Sequence, residues 1–285
     1  MPLTTVAAIA ELRAALDARR AAGATVGFVP TMGYLHAGHT SLMDAARADT
    51  DVVVASIFVN PLQFAAHEDL DSYPRDLERD TALAEAHGVD LLFVPSVTEM
   101  YPQPVATTVS VAGVSQGYEG ASRPTHFDGV ATVVAKLFSI VGPCRAYFGE
   151  KDYQQLAVVR RMVADLSMPV TVVGCPTVRE PDGLAMSSRN AYLTPAERAA
   201  APVLHRALTA GAAAVEAGAR DPDAVVATMV EVVASEPLAE LDYAAVVDAA
   251  TLEVPRPLRG ELRLLIAARF GRARLLDNLG CRAPG

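Results

Sequence analysis

The chain has 285 residues, 51% of them apolar, which is enough for one large core and room for a second. With 33 acidic against 24 basic residues the net charge is -9, which argues against a nucleic-acid backbone as the main partner, so any cationic site must be local. Three widely spaced cysteines, Cys144, Cys175 and Cys281, make neither a disulfide framework nor a zinc motif, and they suit a reducing compartment.

The opening, MPLTTVAAIAELRAALDARR, lacks the basic start and apolar centre of a secretory signal and reads as an amphipathic helix begun by Thr4 or Thr5. No apolar run approaches the roughly 20 residues that cross a bilayer. Short β-branched runs then alternate with helical patterns. TVGFVP (25–30) precedes a helix near 39–49, and DVVVASIFV (51–59) precedes a helix that Pro74 can start and Gly88 can stop. DLLFVP (90–95), an apolar helix from about 128 to 141, RAYFG (145–149), a further helix and VTVVG (170–174) follow. Strands apolar on both faces belong to parallel sheets covered by helices, which predicts a doubly wound, Rossmann-like α/β domain over residues 1–177. After PTVREPDG (176–183), an Ala-rich helical stretch (194–235) leads to DYAAVVD (242–248) and ELRLLIAARF (261–270). This predicts a smaller α+β domain over residues 178–285.

Three segments carry chemistry. PTMGYLHAGHTSL (30–42) lies where a parallel strand hands over to a helix, the edge at which such sheets bind ligands. Gly33 and Gly38 allow close backbone approach, the helix N-terminus favours an anion, and His36 and His39 could face one phosphate together. Two histidines there could instead cap or pack; zinc is disfavoured, since its helical pairs sit four apart and no third ligand is evident. FGEKDYQQL (148–156) places Gly149, Lys151 and Asp152 at another strand end, where a cation meets phosphate and a carboxylate can bind ribose hydroxyls, unless the pair is a solvated surface turn. GLAMSSRNAYL (183–193) offers Ser187, Ser188 and Arg189 for phosphate oxygens, on a stretch that Gly183 is expected to make flexible; a plain N-cap with an exposed Arg is its simpler reading.

Longer strings add to these signals: PTMGYLHAGH (30–39), SIFVNPLQF (56–64), EDLDSYPRD (68–76), RPTHFDGV (123–130), YFGEKDYQQL (147–156), PTVREPDGLAMSSRNAYL (176–193) and, more weakly, RLLDNL (274–279). By these strings the chain resembles the pantothenate synthetase family. The resemblance implies a cytoplasmic homodimer of the coenzyme A pathway; the acidic charge and the lack of a long apolar run imply no nucleic-acid or membrane partner. It implies a ligase that joins pantoate to β-alanine with ATP and Mg²⁺ through a pantoyl-adenylate, releasing pyrophosphate and AMP. Its ATP-binding positions match Pro30, Thr31, Met32, Gly33, Tyr34, Leu35, His36, Ala37, Gly38, His39, Gly149, Glu150, Lys151, Asp152, Val178, Met186, Ser187, Ser188 and Arg189. Pantoate-binding glutamines match Gln63 and Gln155, with Gln63 also near β-alanine, and the catalytic histidine matches His39. Asn60, Tyr73, Arg123 and His126 fall in matching strings as further substrate-binding candidates, and Glu119 lies four residues before one of them. Metal ligands are not implied.

The residue chemistry agrees. A carboxylate attacking the α-phosphate builds negative charge, which His36, His39, Lys151 and Arg189 are suited to stabilise. Neutral amides orient an acid without quenching it. One departure stands out: after Gln63 and Phe64 the family pattern expects a glycine, whereas Ala65, Ala66 and His67 follow here, so a different turn is expected. Two other readings remain open at this level, an adenylyltransferase that leaves AMP on its product and a non-catalytic nucleotide sensor. Free AMP among the products separates the first, and ATP binding without turnover the second.

Overall fold

The computed structural model describes residues 2–64, 70 and 73–284. Ala65, Ala66 and His67, where the sequence departs from the family pattern, lie outside the described residues. The chain forms two compact units: one runs up to Glu150 and resumes over Gln154–Pro176, and the other combines Lys151–Tyr153 with the chain from Thr177 onward.

In the first unit, Thr4–Val6 (β1), Ile9–Ala21 (α1), Val26–Thr31 (β2), Ala37–Asp49 (α2) and Val52–Ile57 (β3) are followed by Leu77–Ala86 (α3), Leu91–Phe93 (β4), Val97–Met100 (α4) and Tyr118–Ser122 (α5). His126–Val141 (α6), Cys144–Gly149 (β5), Tyr153–Asp165 (α7) and Val170–Cys175 (β6) complete it, with Tyr153 itself belonging to the second unit. The six strands form one parallel sheet in the order β1-β4-β3-β2-β5-β6. Thr4 and Thr5 do not cap a helix. They are edge-strand residues opposite Leu91 and Leu92, and α1 starts only at Ile9, because a β-branched run pairs on a sheet edge more readily than it starts a helix. Along β2, Val26 and Phe28 face a core shared with Phe93, Phe138 and Phe148, while Val29 faces the opposite core with Met43, Val53 and Leu92. Burial on both faces explains why these strands read as continuous apolar runs. The order reverses at β2, which has β3 on one side and β5 on the other, so the crevice of this sheet opens at the C-terminal ends of β2 and β5. The helix expected from Pro74 begins three residues later at Leu77, where the Asp76 carboxylate accepts from the Arg79 amide.

In the second unit, the Ala-rich stretch is three helices, Pro195–Ala200 (α8), Val203–Glu216 (α9) and Pro222–Ala234 (α10), punctuated by Pro202, Gly218 and Pro222. They precede Glu240–Asp248 (β7), Glu261–Phe270 (β8) and Ala273–Arg282 (β9), an antiparallel sheet in the order β7-β8-β9. The strand β9, not expected from the sequence, follows the two-residue turn of Gly271 (φ 54) and Arg272. Its Leu275 and Cys281 join the core that α9, α10 and β8 enclose. Among the described residues no helix is long and apolar enough to cross a membrane.

Candidate active site

The loop after β2 is held in place by its own hydrogen bonds and by α3. Gly33 takes φ 83, and a Cβ there would stand 2.9 Å from Ile57 Cγ2 and 3.1 Å from Asp80 Oδ2, so only glycine suits this turn. Tyr34 follows at φ 52, an uncommon conformation for a side-chain-bearing residue. Asp80, in the first turn of α3, holds both. Its buried carboxylate accepts from the Tyr34 amide at 2.6 Å and the Leu35 amide at 2.7 Å, while Arg79 donates to the Leu35 carbonyl at 3.0 Å. Thr31 Oγ1 donates to the Ser56 carbonyl at 2.8 Å and accepts from the Gly33 amide at 3.1 Å, tying the loop to β3.

The two histidines form the N-terminal cap of α2. His36 Nδ1 accepts from the Gly38 amide at 3.1 Å, His39 Nδ1 accepts from the His36 amide at 3.4 Å, and the rings lie 4.1 Å apart. Capping and ligand binding, alternatives in the sequence, are therefore compatible: each Nδ1 is spent on the main chain, which leaves the proton of each neutral ring on Nε2 as a donor. With the positive end of α2 behind them, two such donors suit an anion.

Gln63 ends a short 3-10 turn, Pro61–Gln63, that Asn60 caps through its side-chain oxygen. Its amide is buried, with Nε2 donating to Met32 Sδ at 3.0 Å and Oε1 accepting from Asn60 Nδ2 at 3.2 Å. Asn60 is fixed in turn by the Gly129 carbonyl at 3.1 Å and by the Tyr101 hydroxyl at 2.9 Å, and burial pushes that phenol up to about 12. The Gln63 carbonyl accepts from Arg123 Nη2 at 3.2 Å and His126 Nδ1 at 3.0 Å, while Arg123 Nη1 donates to His126 Nε2 at 3.2 Å. This chain of donors makes His126 a neutral, Nδ1-protonated ring bonded to the Gln63 main chain. Gly129 permits the approach of α6, since a Cβ there would lie 2.3 Å from the Leu62 carbonyl oxygen. The consecutive glutamines of α7 differ. Gln154 is buried and spends its amide on the carbonyls of Val114, Gln116 and Gly117 and on the Glu119 amide, whereas Gln155 is half-buried and its amide has no partner among the described residues.

In the second unit, Val178 and Met186, distant matches in the sequence, are neighbours: the Met186 amide donates to the Val178 carbonyl at 3.0 Å across a small hairpin closed by the Arg179–Ala185 bridge. Gly183 (φ 94) sits against His205, where a Cβ would meet Cδ2 at 2.4 Å. Its part is thus a tight turn under a ring, not the flexibility expected of it. Ser187 caps the following turn, Ser188–Tyr192, by accepting from the Arg189 amide at 3.3 Å. Lys151 lies on the turn Glu150–Asp152, with Nζ 3.2 Å from Asp152 Oδ1.

Other expected residues land in different surroundings. Leu35 has a fully buried side chain, so only its main chain is available to a ligand. Tyr73 is buried with its ring 6.1 Å from Phe64, and Glu119 is buried on α5. Asp80, Tyr101, Gly129 and Gln154 escaped the sequence reading; each acts across a long separation, and of the four only Gly129, in RPTHFDGV, and Gln154, in YFGEKDYQQL, lay in strings already singled out.

A family model described as pantoate-beta-alanine ligase matches residues 4–280. The chain is 55% identical over 277 residues to the pantothenate synthetase of Sinorhizobium medicae, covering 97% of this chain and 95% of that one. Similarity to the pantothenate synthetase of Heliobacterium modesticaldum is 56% identity over 257 residues, 90% of this chain and 92% of that one. Among solved structures, the pantothenate synthetase from Thermus thermophilus superposes with a TM-score of 0.92 at 55% identity, over 97% of this chain and 99% of that one. The pantoate-beta-alanine ligase from Francisella tularensis, complexed with beta-gamma ATP and beta-alanine, has a TM-score of 0.79 at 32% identity, over 97% of each chain.

Proposed function

Because the chain belongs to the pantoate-beta-alanine ligase family, we propose that the two clusters described above serve its reaction, the ATP-dependent condensation of pantoate with β-alanine to pantothenate, AMP and pyrophosphate. The observation that carries the assignment of residues is the hydrogen-bonded loop after β2: two histidines with Nε2 donors at the start of α2, beside a buried amide, Gln63, linked to Met32 of the same loop. His36 and His39 bind phosphate oxygens of ATP, and His39 donates to the charge that develops as the pantoate carboxylate attacks. Gln63 and Gln155 orient pantoate, the first already locked by Asn60 and the second with its amide still unengaged. In the second unit, Lys151 and Arg189 are the cations for the triphosphate, and Ser187 and Ser188 add donors. The amine of β-alanine then attacks the acyl carbon of the mixed anhydride, forming the amide C–N bond with loss of a proton as the acyl–phosphate bond breaks and AMP leaves; a solved relative bound to ATP and β-alanine supports both as ligands.

Mg²⁺ fits this residue set as a companion of ATP. Among the described residues no group of three or more carboxylate, histidine or cysteine side chains is gathered into a cage, and Mg²⁺ characteristically binds substrate phosphates with one or two carboxylates. Asp152, beside Lys151, is the carboxylate we assign to it; the ion would neutralise the triphosphate and favour departure of pyrophosphate. We further propose a homodimer working in the cytoplasm.

Two measurements test the reading. With pantoate and Mg²⁺ present and β-alanine absent, labelled pyrophosphate should enter ATP much faster than AMP is released. Exchange that needs β-alanine, or that proceeds without pantoate, rules out a pantoyl-adenylate on this enzyme. Gln155→Ala should weaken pantoate binding by about tenfold or more while ATP binding changes little, as expected for loss of one oriented hydrogen bond to a charged acid. Equal losses for both ligands would mean a general collapse.

A further inference from the structure

The string RLLDNL (274–279) resembles the family, yet the reaction as derived gives it no task. In β9 it places two polar residues side by side, Asp277 and Asn278, and both are buried at 4% and 3% exposure. Adjacent residues of a strand point to opposite faces, so burying both is costly unless each is fully partnered. Each is. Asp277 takes the Arg179 guanidinium in a two-point pair at 2.6 and 2.9 Å, and Arg179 reaches on to the carbonyls of Gly183 at 3.0 Å and Asn278 at 3.2 Å. Arg179 therefore ties the Gly183 turn of the hairpin that leads into Ser187–Arg189 to β9.

Asn278 turns its amide the other way. Oδ1 accepts from Arg263 Nη1 at 3.1 Å, and Nδ2 donates to the Lys151 carbonyl at 2.8 Å. The amide has a single consistent orientation, because a guanidinium can only donate and a carbonyl can only accept. Arg263 stacks on the Tyr153 ring, 3.8 Å from its centre, and the Tyr153 hydroxyl donates to the Ala249 carbonyl at 2.9 Å. The Lys151–Tyr153 stretch is thereby tied to the second unit although its neighbours on both sides belong to the first.

We propose that Asp277 and Asn278 are positioning residues for the reaction: Asn278 fixes the backbone from which Lys151 projects, and Asp277, through Arg179, fixes the hairpin before Arg189. Both cation-bearing segments are thus carried by one strand. The inference rests on the reading of Lys151 as a cation for the triphosphate, and a displacement of about 1 Å in such a group can cost up to about 100-fold in rate. A structural role alone would lower stability and leave the reaction of the folded enzyme intact.

The test is pantoate-dependent exchange of pyrophosphate into ATP by Asn278→Asp, Asn278→Ala, Lys151→Ala and the Asn278→Ala/Lys151→Ala double variant, each checked for folding by thermal melt. Asn278→Asp retains an acceptor for Arg263 but faces the Lys151 carbonyl with an oxygen. Both Asn278 variants should lower the maximal exchange rate by about 10-fold or more with the KM for pantoate changed less than about threefold, and the double variant should exchange no more slowly than Lys151→Ala. Should Asn278→Ala not fold, Asn278→Asp paired with Lys151→Ala completes the same cycle. Normal exchange by folded Asn278 variants, or a loss that multiplies fully onto that of Lys151→Ala, overturns the positioning role. Full exchange by Lys151→Ala itself would instead remove the reading of Lys151, and this inference with it.

Discussion

A single carboxylate decides the shape of the loop that carries the histidines. Asp80 satisfies the amides of Tyr34 and Leu35 within a turn where Tyr34 adopts φ 52, and a neutral side chain cannot accept from both as a carboxylate does. Asp80→Asn should therefore raise the Kd for ATP by about tenfold while pantoate binds nearly as before, and a melt should show a loss of about 1–3 kcal/mol for the unsatisfied amide. Separate calorimetric titrations of the two ligands check this; an unchanged ATP affinity would show that the loop holds its form without Asp80. His39→Ala acts one step later, on the donor itself, and should lower kcat by roughly 10²- to 10³-fold without loss of fold.

At the scale of elements, the contact that matters most is α6 against the turn Pro61–Gln63. Gly129 brings the helix so close that a Cβ would stand 2.3 Å from the Leu62 oxygen and 2.7 Å from Gln63 Cα. Backbone cannot yield as a flexible side chain can, so Gly129→Ala should push the turn away and carry Gln63 with it. The expected outcome is a KM for pantoate raised about tenfold or more, a KM for ATP changed little, and stability lower by about 1–3 kcal/mol. Steady-state kinetics with each substrate varied in turn would reveal the asymmetry, and parallel increases in both constants would contradict it.

At the scale of the whole molecule, burial sets how several groups outside the proposed site titrate. Burial pushes the Cys144 thiol up to about 12 and the Cys281 thiol up to about 11, and Cys175 is raised by burial with Glu150 adding to it. Since the thiolate is the reactive form, iodoacetamide at neutral pH should leave the native enzyme active and unlabelled until denaturant is added. His205 brings a pH dependence. Its imidazole is held below the usual 6.5 by burial, then by the nearby Arg179, partly offset by Asp277, and its Nδ1 has no partner among the described residues. The unfolded chain therefore takes up that proton more readily than the folded one: stability is complete above about 6.5 and declines as pH falls from there toward the folded value. Replacing His205 by Leu should flatten this slope in melts between pH 7 and pH 5; an unchanged slope would assign it to other groups.

Local patterns in the sequence determined the alternation of apolar strands and helices, the change of character after the first domain, and the glycine- and histidine-bearing strings that resemble one ligase family. These are properties of residues close together, where periodicity, turn chemistry and motif spacing leave a visible mark. The same reading put a helix at Thr4 and Thr5, where pairing with β4 makes a strand, and passed over β9, whose partner β8 lies in a separate run. It named His36, His39, Gln63 and His126 but not how they are held, because Asp80 reaches Leu35 of the loop from 45 residues away and His126 pairs with the Gln63 carbonyl across 63. Asn278 meets the Lys151 carbonyl across 127 residues, and no spacing rule connects them. Which polar groups end up buried together is set by how the sheets stack their neighbours, so the donors of the site could be named from the chain, while the partners that aim them were decided only by the tertiary structure.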